Sequence, residues 1–139
     1  MCRDARMLRI AIAATRLSQH KFAIAAVVAK GARVLSIGTN KYKSHPRQIN
    51  SYTHKVGSSI HAELDAIIGV PRGNLEGATI IVARTLKDRT QALAKPCHAC
   101  LHLIEAAGIT RVVYTLDKEG YTIERTNGSP DQTYNSHHF

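Results

Sequence analysis

An α/β domain, one mixed sheet of five strands with helices on both of its faces, is the fold class that the sequence predicts. Three observations carry it. Apolar residues switch between a helical and a strand period in the order helix, strand, strand, helix, strand, helix, strand, strand. The 139 residues are enough for one substantial core and too few for two. The last two strands are joined by Asp117-Lys118-Glu119-Gly120, far shorter than the crossover of about a dozen residues that a parallel connection needs, so the fifth strand runs antiparallel to the fourth.

The first element covers Asp4 to Ser18, where Met7, Ile10, Ala11, Ala14 and Leu17 recur at the spacing of a helix with one buried face. Arg3, Arg6, Arg9 and Arg16 fall on the remainder and read as a solvated face. Lys21 to Lys30 and Arg33 to Asn40 are β-rich runs split by Gly31-Ala32, a hairpin. Their near-continuous Ala, Val and Ile content predicts central strands covered on both faces. Lys41 to Ser59 is polar and without period, a loop of a length that in compact domains is functional or disordered.

His61 to Val70 is the second helix, with Ser58 or Ser59 available as a cap and Pro71-Arg72-Gly73-Asn74 ending it. Ala78 to Arg84 is the third strand, with Thr79-Ile80-Ile81-Val82 as its β-branched centre. A polar connection, Leu86 to Lys95, leads to the third helix, Pro96 to Ala107, with Pro in its first turn and Gly108 as its stop. Thr110 to Leu116 and Tyr121 to Arg125 are the fourth and fifth strands. Residues 1–125 therefore form one domain, and residues 126–139, which contain Asn127-Gly128-Ser129-Pro130 and end polar, read as a mobile tail.

Nineteen Lys and Arg against ten Asp and Glu give a formal charge of +9, which favours an anionic partner such as a nucleotide phosphate or a nucleic-acid backbone, or serves solubility alone. The apolar residues of Met1 to Gln19 are interrupted by Arg3, Asp4, Arg6, Arg9 and Arg16, so neither a signal peptide nor a membrane span is expected there. A cytoplasmic location follows as the expectation. With three Cys there is no disulfide framework.

Two short stretches carry the chemistry: His61-Ala62-Glu63 and Pro96-Cys97-His98-Ala99-Cys100. Zinc takes four ligands in a tetrahedron, and a catalytic zinc takes three from protein and leaves the fourth position to water. His61, Cys97 and Cys100 supply three. Glu63 follows His61 on the same helical turn, at the place of a general acid/base beside the metal rather than a ligand. The competing reading is a structural zinc closed by His98, His102, His54 or Cys2, none of which sits at a more natural ligand spacing.

This order, H-x-E followed by P-C-x-x-C, resembles the cytidine and deoxycytidylate deaminase superfamily across roughly Phe22 to Arg125, and the Ala94 to Cys97 segment resembles compact phage and bacterial members. The resemblance implies a three-layer α-β-α fold, Zn²⁺ as cofactor, Glu63 as the catalytic proton carrier, and hydrolysis of a cytosine to uracil with release of ammonia. It also implies a substrate contact at Asn40, which otherwise reads as a turn residue. Ala62, Arg47 and Tyr114 complete the expected substrate-binding set, Arg47 as the bidentate phosphate reader of the Lys41 to Ser59 loop, which also carries Lys41, Lys43 and Lys55. Members of the family are mostly oligomers, so a homo-oligomer is expected.

Histidine rather than cysteine at position 61 favours the nucleotide side of the superfamily, and Lys95 in place of a glutamate speaks against the tRNA adenosine branch. The antiparallel fifth strand is instead a feature of free-cytidine enzymes. The leading expectation is thus a deaminase of a cytidine or deoxycytidine nucleotide. The alternatives are a deaminase of single-stranded DNA or RNA, and a catalytically idle zinc-containing nucleic-acid-binding protein.

Overall fold

The computed structural model describes residues 3–18, 22–41, 61–126 and 130–134, the last by backbone alone. In chain order its elements are α1 (Arg3–Ala14) with a 3-10 turn at Thr15–Leu17, β1 (Ala23–Lys30), β2 (Arg33–Thr39), α2 (Ala62–Ile68), α3 (Arg72–Leu75), β3 (Thr79–Thr85), β4 (Gln91–Ala92), α4 (His98–Ala106), β5 (Arg111–Thr115), β6 (Tyr121–Arg125) and β7 (Pro130–Tyr134). The strands form one mixed sheet in the order β2-β1-β3-β5-β6-β7, with β4 paired to β3.

Strand alternation sorts the core into two layers. Ala26, Val28, Ile80, Val82 and Val112 face Ala66 and Ile67 of α2 and Ile104 of α4. Val27, Ala29, Ile81, Ala83 and Val113 face Met7, Leu8 and Ala11 of α1. The three-layer α-β-α fold is the one expected. The pairing of β3 with β5 is parallel and that of β5 with β6 antiparallel, the Asp117 to Gly120 turn being closed by Leu116 N–H donating to Gly120 O at 3.1 Å. The left-handed φ angles of that turn fall on Lys118 (70°) and Gly120 (85°).

Several elements depart from the sequence reading. Among the described residues the sheet has seven strands rather than five. One addition is the two-residue β4, folded back on β3 within the stretch read as a polar connection. The other is β7, antiparallel to β6 within the stretch read as a tail, so the sheet continues past residue 125. β2 is an edge strand with a half-exposed centre, whereas β1 is central. The buried residues of α1 are Ala5, Met7, Leu8, Ala11 and Ala14, with Leu17 68% exposed, because the helix ends at Ala14 and the 3-10 turn swings Leu17 outward. Pro71-Arg72-Gly73-Asn74 begins a further short helix, α3. The N-cap of α2 is His61, without a side-chain capping bond; Ser58 and Ser59 lie outside the described residues, as does most of the Lys41 to Ser59 loop.

One glycine decides how α2 sits. A Cβ on Gly38 of β2 would lie 2.3 Å from Ala66 N and 2.6 Å from Ala62 O, so the strand backbone touches the helix backbone directly. Gly38→Ala is therefore expected to lose about 1–3 kcal/mol or more in urea or thermal unfolding, because backbone cannot yield as a side-chain end can. Since His61 and Glu63 stand at the start of α2, turnover should fall with stability.

Candidate active site

Two helix starts meet over the carboxyl end of the parallel strands. His61 is the N-cap of α2 and Cys97 the N-cap of α4, both with extended backbone, and Cys100 lies in the first turn of α4. The ligand atoms of His61, Cys97 and Cys100 all lie within 4.8 Å of one another. His61 Nδ1 is 3.2 Å from Cys100 Sγ and 3.6 Å from Cys97 Sγ, so Nδ1 is the ring nitrogen turned to both sulfurs. One imidazole and two thiols, gathered at positive helix ends that favour thiolate, are a donor set that fits zinc. Among the described residues this is the only group of three or more such side chains, and His98 and His102 are exposed on α4, making their ring contact with each other.

The electrostatics follow from the packing. The hydrogen bond from Cys100 and that from His61 hold Cys97 down to about 4. The same bond to Cys97, together with burial, pushes the Cys100 thiol up. The His61 imidazole is raised, first by its hydrogen bond to Cys97 and against burial. Glu63 is 6% exposed, and burial raises its carboxyl above the ordinary carboxylate range against its own backbone N–H and His61.

Glu63, His61, Ala62 and Cys97 share one pocket of about 270 Å³, near the lower end of small-molecule sites at roughly 300–1,000 Å³. Asn40 is also in its wall, buried to 5%. Its amide is already engaged: Oδ1 accepts from Ile24 N–H at 3.1 Å and from the Ser18 hydroxyl, and Nδ2 donates to Phe22 O. It ties the end of β2 to the start of β1. Tyr114 is buried in the core and is not in the pocket wall; its hydroxyl donates to Glu124 Oε1 at 2.8 Å, and burial with that partner raises the phenol. Arg47 lies outside the described residues.

Two features had no clear signal in sequence. Asp65 accepts from Thr39 N–H at 3.0 Å and pairs with Lys41, so it locks α2 to the end of β2 and withdraws Lys41 from the cations free to meet a ligand. Arg84 and Lys95, read as the end of a strand and of a connection, both stand in the pocket wall.

A three-layer fold that brings a histidine and two cysteines to helix starts beside a buried glutamate defines a deaminase of the zinc-binding class. The family model of the cytidine and deoxycytidylate deaminase zinc-binding region matches residues 1–116, and the chain belongs to that family. The deoxycytidylate deaminase of Mycobacterium phage D29 is 33% identical over 128 residues, covering 80% of this chain and 92% of the relative. The dCMP deaminase of cyanophage S-TIM5, solved in complex with dCMP and dUMP, has a TM-score of 0.56 at 19% identity, covering 81% of this chain and 79% of that one. RibD of Acinetobacter baumannii has a TM-score of 0.52 at 18% identity, covering 82% of this chain and 28% of that one. These two likenesses are of fold. No helix among the described residues is long and apolar enough to cross a membrane.

Proposed function

We propose that the chain is a zinc-dependent hydrolytic deaminase of a free cytosine nucleotide, with deoxycytidine monophosphate as its foremost substrate. The observation that carries this reading is the Glu63 carboxyl, buried in the pocket lined by His61 and Cys97, two members of the His61, Cys97 and Cys100 cluster. The name of the phage D29 relative supports the choice of deoxycytidylate.

His61 Nδ1, Cys97 Sγ and Cys100 Sγ would hold the zinc. When bound, the metal supplies Lewis acidity that lowers the pKa of water from 15.7 to about 7. Glu63 takes the proton of the attacking water on its carboxylate, passes it to N3 of the cytosine ring as C4 is attacked, and assists departure of the exocyclic amine. The C4–N bond breaks, ammonia leaves, and the ring becomes a uracil. The raised carboxyl suits this task, because a group that both accepts and returns a proton works best with its pKa moved toward the operating pH. Ala62 and Val82 form the buried, apolar part of the pocket wall beside Glu63. A homo-oligomeric state belongs to the same reading, rests on the resemblance alone, and is read by light scattering.

The test is ammonia release from zinc-loaded protein over cytidine, deoxycytidine, their mono- and triphosphates, and cytosine-containing oligonucleotides. The highest kcat/KM is expected for deoxycytidine monophosphate. An oligonucleotide that outpaces every monomer would transfer the assignment to single strands, and no ammonia from any substrate would leave the idle-binder reading.

A further inference from the structure

Two cationic side chains, Arg84 and Lys95, stand in the wall of the pocket that holds Glu63. They reach it from different elements. Arg84 lies near the carboxyl end of β3, two residues past Val82 and so on the same face of the sheet. Lys95 arrives on the segment that folds back on β3 through β4, where Arg84 opposes Ala92. That segment is pinned along its length. Leu93 N–H donates to Asp117 Oδ1 at 2.8 Å, Ala94 N–H to Thr115 O at 3.0 Å, and Gln91 Nε2 to Leu116 O and Gly120 O at 2.8 and 2.7 Å. Lys95 is therefore carried by a built strap and not by a wandering loop.

Arg84 is the unusual member. Its Nε is buried and has no hydrogen-bond partner, the only such side-chain nitrogen or oxygen among the described residues. The guanidinium carbon sits 5.3 Å from the centroid of the Phe22 ring, so one of its faces is covered by an aromatic surface. A stacked guanidinium presents its donor edge, and the edge that carries Nε–H together with a neighbouring Nη–H is the fork that matches two oxygens of a phosphate or carboxylate. A buried N–H left without an acceptor bears its whole desolvation cost, and an anionic ligand in the pocket would relieve it. Lys95 Nζ is 4.0 Å from Glu124 Oε1, the oxygen that already accepts from Tyr114. At that separation, with half of its side chain exposed, the ammonium keeps donors to offer.

We propose that Arg84, with Lys95 beside it, is the subsite that reads the 5′-phosphate of the substrate and so selects nucleotide over nucleoside. This rests on the monophosphate reading of the site. Arg84 supplies the two-pronged contact and Lys95 a second charge at the pocket rim. Glu124, through Lys95, and Phe22, through Arg84, are positioning residues.

The experiment compares zinc-loaded wild type with Arg84→Gln, Arg84→Lys and Lys95→Gln, each on deoxycytidine monophosphate and on deoxycytidine, with calorimetric affinity for dUMP and deoxyuridine as a readout that needs no turnover. Arg84→Gln is expected to raise KM for the nucleotide and Kd for dUMP roughly tenfold or more, with kcat/KM on deoxycytidine changed by no more than about threefold. Arg84→Lys should not restore the nucleotide preference, since a point charge lacks the fork. Lys95→Gln should give a smaller rise with the same selectivity. If wild type prefers the nucleotide and both Gln variants keep that preference, or lose nucleotide and nucleoside alike, the subsite is overturned and the nucleotide reading stands. If wild type shows no preference for the nucleotide, the nucleotide reading fails and the subsite falls with it. Should Arg84→Gln fail to fold, the half-exposed Lys95 carries the decision by the same two readouts.

Discussion

Glu63→Gln is expected to lower kcat by about 10²–10⁴-fold, the ordinary range for a positioned acid/base, while the zinc content of the protein stays near one per chain. The side chain is 6% exposed, lies in the pocket with His61 and Cys97, and is nearly isosteric with glutamine, so the fold has little reason to change. What changes is the ability to take and return a proton. Burial already holds the carboxyl above its ordinary range, and a neutral amide removes the charge whose desolvation the pocket had to bear. Stability of the variant should therefore match or slightly exceed that of wild type. Ammonia release, metal analysis and a thermal melt on the same preparation decide it. Loss of zinc together with turnover would make Glu63 a ligand rather than a proton carrier. Near-normal turnover would remove it from the chemistry altogether.

The members of the His61, Cys97 and Cys100 cluster, and Glu63 beside it, stood out in sequence because helix geometry spaces them locally. Cys97 and Cys100 are one helical turn apart, and Glu63 follows His61 within one turn, so the spacing itself states that each set shares a face. The joining of the two sets depended on topology, which the alternation of helical and strand periods supplied: α2 and α4 cover the same side of the sheet.

Other parts had no local pattern to read. Arg84 ends an apolar strand and looks like any polar terminus; only the register that sets it on the face of Val82, and the Phe22 ring brought alongside from the start of β1, turn it toward the pocket. β4 has two residues, too few for a period, and it exists because Arg84 and Thr85 extend beyond the last residue of β3 that pairs with β5. Gly38 resembles a turn glycine in sequence, yet its work is a backbone contact with a helix 24 to 28 positions later, where a Cβ would meet Ala62 O and Ala66 N. Asn40 and Asp65 likewise join elements that only tertiary structure brings together, the first through Ile24 and Phe22, the second through Thr39. Long-range polar ties of this kind leave no mark on periodicity or on turn composition.

Cys100→Ser should remove most of the zinc and, with it, turnover on every substrate. Cys100 is fully buried, its sulfur stands 3.2 Å from His61 Nδ1, and it belongs to the one three-residue donor cluster among the described residues. A serine hydroxyl is a far weaker zinc ligand than a thiolate, and two remaining protein donors make a poor site for a metal that wants four. Zinc per chain is expected to fall from about one to well below half after dialysis, and Cys97→Ser to behave alike despite the greater exposure of Cys97. Because the metal binds the folded chain and scarcely the unfolded one, wild type should melt several degrees above the variant, and a chelator should bring the two together. Zinc affinity of wild type should also fall on acidification, since the imidazole and both sulfurs must be deprotonated to bind. The pairing with Glu63→Gln makes the outcome specific: one variant keeps its metal and loses chemistry, the other loses both. Full zinc retention in Cys100→Ser and Cys97→Ser would sink the three-ligand assignment.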